Sequence, residues 1–362
     1  MTAQIPDPRR YTVDAAAGAA ADELARFADI AVLHRQLETW LSRGDDTEIA
    51  AALRAAPSAA AYARLWRAVC DVAHQAGGVA GEVAVVARVF ALPLVIITGS
   101  PRPASVPGVV PDIAAVTALF EQHGALGPTR NFGLGNALCS LETIEAIKPG
   151  EIYAWTRDIG GTRRELAPAP IAIEEPGEMV HLRFLVGAGI APASEPSFVE
   201  TASNIGAWGM PLTRALAAQL GQSAVEVLPL ARPPLDLMRA GHAGRYAQLD
   251  AAFNLFVSNA VRRFRGATGD PVAVISAHDD ADIRLSLSSQ FDDSVVAGFR
   301  WPLHPLDDME RIMRAITELL AECRISQVRC APQVLPALNA EGRVWFVRSG
   351  DADKLEAGLT QH

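Results

Sequence analysis

The stretch Pro271–Asp308, PVAVISAHDDADIRLSLSSQFDDSVVAGFRWPLHPLDD, decides how the chain is read. It opens on the apolar run Val272–Ile275, which suits a buried strand. His278-Asp279-Asp280-Ala281-Asp282 follows as a tight turn, with its aspartates stabilising the bend. Ile283–Ser289 then alternates apolar and polar residues, the period of a half-buried strand. At the far end Asp307 is placed to cap a helix, with Glu310 in capping-box position. The stripe Met309, Ile312, Met313, Ile316, Leu319, Leu320 and Cys323 marks the buried side of that helix.

Parity sorts the side chains of this hairpin. Residues two apart on a strand share a face, so Ile283, Leu285 and Leu287 point together toward packed helices. Arg284, Ser286 and Ser288 point the other way, with Ser276 and His278 as neighbours from the first strand. A histidine, an arginine and several hydroxyls on one face suit a carboxylate or a phosphate. His278 is the candidate catalytic base there, and Arg284, Ser286, Ser288 and Ser276 are the candidate substrate-binding residues. The plainer reading is a solvated face, because antiparallel sheets commonly turn one polar side to water. Three aspartates and a histidine in five residues also suit a divalent ion, but EF-hand spacing and its terminal glutamate are missing. A turn is therefore preferred to a metal site. His304 reads as a satisfied loop histidine.

Upstream, Tyr246, Leu249, Phe253, Phe256, Val257, Ala260, Val261 and Phe264 recur at helical spacing, predicting a long helix over 244–265. The arginines at 262, 263 and 265 complement the dipole at its end. Val225–Leu230 reads as a strand before it, and Val328–Ala331 and Val344–Val347 as closing strands. From Val225 the order is thus strand, helix, strand, strand, helix, strand, the βαββαβ sequence of a ferredoxin-like unit.

The N-terminal part is helical by pattern. Leu24, Phe27, Ala31 and Leu37 share a face, a short helix reaches Ala55, and Ala61, Leu65, Val69 and Val72 recur in another. His34 and His74 read as solvated or hydrogen-bonded helix residues. Val83–Thr98 is a dense β-branched run ending in a Pro-rich loop, and Ile113, Val116, Leu119 and Phe120 mark a helix. That strand–loop–helix junction lacks the glycines and lysine of a phosphate loop. Asn131–Ile147 starts as a loop and turns helical, Lys148-Pro149-Gly150 stops it, and Ile152–Trp155 reads as a short strand. In Glu178–Ile190 the strand runs into Gly187-Ala188-Gly189, but the third glycine of a dinucleotide fingerprint is Pro192 and no helix opens behind it. Pro211 reads as the first turn of a helix that ends at Gly221.

These elements predict an α/β protein, with α+β as the neighbouring class: a helical N-terminal layer followed by mixed-sheet units. The expected divisions are residues 1–80 (helical), 81–221 (α/β), 222–350 (ferredoxin-like) and a polar tail, 351–362.

The chain has 362 residues, enough to bury a core without disulfides or metal. Its net charge of −9 disfavours nucleic acid and anionic lipid as partners. No apolar run reaches the length of a membrane span, and the arginines near the start precede no apolar segment. Cys70, Cys139, Cys323 and Cys330 lack zinc-pair spacing and read as reduced thiols. Cys139 near a helix start would have an activated thiol, but burial as a small core residue is the better reading. The expectation is a cytoplasmic bacterial protein without a cofactor. No elbow, Walker or zincin motif names a reaction. The leading function is therefore a non-catalytic assembly, regulatory or scaffold factor acting through protein–protein contacts, with a protein partner or a homo-oligomer. Alanine-rich N-terminal helices suit such packing. The alternative is a metal-independent enzyme binding a small anion around His278 and Arg284.

Overall fold

The computed structural model describes residues 30–330, apart from residues 75, 81–82, 100–104, 128, 158–165, 173–178, 193–204, 221–224, 229–233, 268–270, 279–281 and 290–295. The expected strand at 344–347, Leu24 and Phe27 of the first predicted helix, and the polar tail lie outside the described residues. The protein is a mixed helix and sheet protein in which antiparallel pairing dominates. The chain divides into two compact units, one taking in the described residues up to Leu53 with Arg64–Ala251, the other Arg54–Ala63 with the described residues from Ala252.

The larger unit is built on two long strands. Strand β2 (Val83–Thr98) pairs antiparallel with β6 (Met179–Pro192), from Val85 opposite Pro192 to Thr98 opposite Met179. The sheet runs β1 (Ala76–Ala80), β2, β6, β4 (Arg130–Cys139), and β7 (Val225–Val227) and β8 (Leu235–Asp236) also pair with β2. Two short strands, β3 (Ser105–Val106) and β5 (Ile171–Ala172), pair apart from it.

Strand β2 reads as a continuous apolar run because both of its faces are covered. Val89, Ala91 and Val95 enter one core with α1 (Ile30–Arg43), α2 (Asp46–Arg54), α3 (Ala59–Ala73), α6 (Pro149–Arg157) and the start of α8 (Leu237–Ala267). Phe90, Leu92, Leu94 and Ile96 enter the other, with α4 (Ile113–His123) and α7 (Ile205–Leu220). The N-terminal helices therefore spend their apolar faces internally: Leu33, Leu37, Leu41, Ile49, Ala52, Leu65 and Val69 are all buried.

Three expectations are corrected in this unit. Asn131–Cys139 is strand, not loop, and its glycine pair accompanies register shifts against β6. The short helix α5 (Leu141–Glu145) follows it, capped by Ser140. Ile152–Trp155 is helical: Pro149 starts α6 rather than stopping a preceding helix, as proline at a first helical position does. The Asp46 carboxylate accepts the Gly150 N–H at 2.8 Å there, taking up an otherwise orphaned donor. Helix α7 begins at Ile205, so Pro211 lies inside it rather than in its first turn.

The smaller unit carries a sheet in the order β11 (Val296–Pro302), β10 (Asp282–Ser289), β9 (Pro271–His278), β12 (Gln327–Cys330). Strands β9, β10 and β11 form an antiparallel meander, and β12 lies parallel to β9 after the crossover helix α9 (Met309–Glu322). This differs from the ferredoxin-like order. Strand β7, its expected first strand, pairs with Ile96–Thr98 of β2 in the other sheet. In addition β11, which the sequence pattern reads as a connection, is a full strand. The observed order is βββαβ.

The expected apolar face of the meander is present. Ile283, Leu285, Leu287, Ala273 and Ile275 are buried. On β11, Phe299 meets Phe253 of α8 at 5.3 Å and Phe256 at 5.5 Å between ring centres, and Trp301 lies 6.0 Å from Phe253. Helix α9 buries Ile312, Met313, Ile316 and Leu320. Its N-cap is Asp308, one residue beyond the expected Asp307, and its carboxylate accepts from the N–H groups of Glu310 and Arg311. Asp307 instead accepts the His304 N–H at 2.7 Å, and His304 Nδ1 accepts from Leu306 N–H. That is the satisfied loop histidine expected from the sequence.

Candidate functional site

The ladder places the five candidate residues on one side of the meander. His278 ends β9 and pairs with Asp282; Ser276 pairs with Arg284. Ser286 lies between Val274 on β9 and Gly298 on β11, and Ser288 between Val272 and Val296. Arg284 pairs on its other side with Arg300 of β11. The register thus makes these backbone positions neighbours across β9, β10 and β11.

The side chains are less open than a solvated face. Ser286 and Val274 are buried, and Ser276 and Ser288 are half-buried. The Ser286 hydroxyl has no hydrogen-bond partner among the described residues. A buried hydroxyl so placed loses its water without recovering a bond.

The centre of the face is a residue read as a turn former. Asp279, Asp280 and Ala281 lie outside the described residues, but Asp282 is the first residue of β10 and is only 1 % exposed. Its two oxygens are divided between two arginines. Arg284 Nε donates to Oδ1 at 2.8 Å, and Arg300 Nε donates to Oδ2 at 2.5 Å. A buried carboxylate is tolerated because both oxygens are paired. The Arg284 side chain is 19 % exposed and that of Arg300 is 61 % exposed, so the cations lead outward from the buried anion. Among the described residues two guanidiniums meet one carboxylate here. Both contacts use Nε, which fixes each guanidinium plane and leaves its Nη groups outside the contact with Asp282.

Arg300 and Asp282 are the residues that sequence reasoning missed here. The signal was present: Val296, Gly298 and Arg300 alternate with Ala297, Phe299 and Trp301. That is the two-residue period of a half-buried strand.

A second charged cluster lies in the larger unit and is closed on itself. Arg239 reaches Asp71 on α3 at 2.5 Å and Asp236 at 2.8 Å, while Asp236 also accepts the Arg239 backbone N–H at 2.9 Å. This caps the start of α8 and ties it to α3. The flanking carboxylates raise the Arg239 pKa against the opposing effect of burial, the larger single influence. His74 contacts the Cys70 carbonyl through Nδ1 at 2.9 Å, as expected for a hydrogen-bonded helix histidine. Burial first, and the nearby Asp236 second, hold the Cys70 thiol well above its usual range.

Cys139 ends a strand rather than starting a helix, and burial pushes its thiol up to about 11. It is an inert core residue. Gly187 and Gly189 sit inside β6, where a Cβ would fall 2.5 Å from Phe90 and 2.5 Å from Thr129. Their role is close packing, not a cofactor turn. Among the described residues no group of three His, Cys, Asp or Glu is arranged to hold a metal ion, and no helix is long and apolar enough to cross a membrane. Comparisons with protein-family models, curated proteins and solved structures find no match.

Proposed function

We propose that the chain is a non-catalytic assembly or regulatory factor that binds a protein partner through the β11 side of its smaller unit. One observation carries this reading. Among the described residues β11 pairs with β10 alone, so along residues 297–300 the backbone groups on its other side belong to no described ladder. The larger sheet is managed differently. The outer side of β2 is taken by β1, β8 and β7, and β4 is bridged by Gly108, Val110 and Ala169 through backbone hydrogen bonds. A strand without a second neighbour among the described residues, beside a pre-oriented arginine, suits strand addition, a common mode of peptide capture.

Proline scanning of the edge tests this reading. Along an edge strand successive N–H groups alternate between the neighbouring strand and the open side. Proline at Ala297 and proline at Gly298 therefore remove one ladder bond and one open donor between them. Thermal unfolding identifies the variant that keeps its stability. That variant is expected to lose the partner that co-purifies with the unaltered chain from its native host. Undiminished co-purification would remove the proposal.

The enzyme reading is favoured by a separate observation, the register that sets His278 opposite Asp282 and Ser276 opposite Arg284. Its test is His278→Ala and Arg284→Ala in a folded chain. If both leave the biological activity unchanged, no catalysis resides on this face.

A further inference from the structure

We draw no further inference here: the strongest candidate, the side-chain cluster at the end of the β2–β6 ladder in which the Thr98 hydroxyl lies 3.0 Å from His181 Nε2 with Arg183 nearby, carries nothing because Thr98 is only 1 % exposed, so the contact satisfies a buried hydroxyl and no substrate can reach it.

Discussion

Asp282 shows what a single residue can hide. In sequence it closes an acidic turn, where a carboxylate costs nothing to solvate. In the structure it is buried, and two guanidiniums from different strands replace its water. One partner, Arg284, is two residues away; the other, Arg300, is eighteen residues away, and only the β10–β11 ladder joins them. Asp282→Asn keeps the shape and removes the charge that both arginines need. The expected loss of stability is about 1.5–3 kcal/mol, the usual worth of hydrogen bonds to charged groups. Chemical denaturation measures it, and a loss below ~0.5 kcal/mol would mean that the buried carboxylate is not held by these contacts. His181 makes a prediction of opposite chemical sense. It lies 3.0 Å from the Thr98 hydroxyl, and burial first and Arg183 second lower its pKa below the ordinary 6.5. As pH falls the unfolded imidazole takes up its proton before the folded one does. The contribution is therefore complete above pH 6.5 and is lost as pH falls through the lower folded value. His181→Gln should flatten the decline of unfolding free energy as pH falls below 6.5. An unchanged slope would assign that decline to other groups.

Glycine in β6 carries the argument at the scale of the element. Strands β2 and β6 are paired over nearly their full length, and the Phe90 ring lies across the backbone at Gly187. A Cβ there would come within 2.5 Å of Phe90 Cζ and 2.8 Å of Leu134 Cδ2, so Gly187→Ala forces both side chains to shift. Overpacking of this kind costs about 1–3 kcal/mol. Phe90→Leu in the same chain should recover part of that loss, a coupling that a double-mutant cycle reads directly. Additive effects would place the strain elsewhere. The elements legible in the sequence are those with one dominant period. The long α8 and α9 show their stripes, β2 its uninterrupted apolar run, and β10 its alternation. The misread ones carry mixed signals. Strand β4 holds Gly133 and Gly135, which interrupt both its pattern and its register. Helix α6 has a β-prone Ile-Tyr-Ala-Trp run, yet buries Ile152, Tyr153 and Thr156 on one side. Strand β11 escaped notice because prolines at 302 and 305 suggest a loop, although the strand ends at the first of them. Backbone parity on β9 and β10 was enough to group the candidate site. It could not show that Ser286 is buried, because burial belongs to the tertiary structure.

The whole molecule adds a field that no single site reveals. Its formal charge is −9, with 41 acidic side chains against 32 basic ones. Folding brings these charges closer together than they are in the unfolded chain, so the net excess destabilises the compact state. Salt screens that repulsion: the Debye length falls from about 30 Å at 0.01 M to about 10 Å at 0.1 M ionic strength. The free energy of unfolding in urea, an uncharged denaturant, is therefore expected to rise as sodium chloride increases from 0.01 to about 0.1 M. A fall over that range would mean that local pairs such as Asp282 with Arg284 and Arg300, which salt weakens, outweigh the net repulsion.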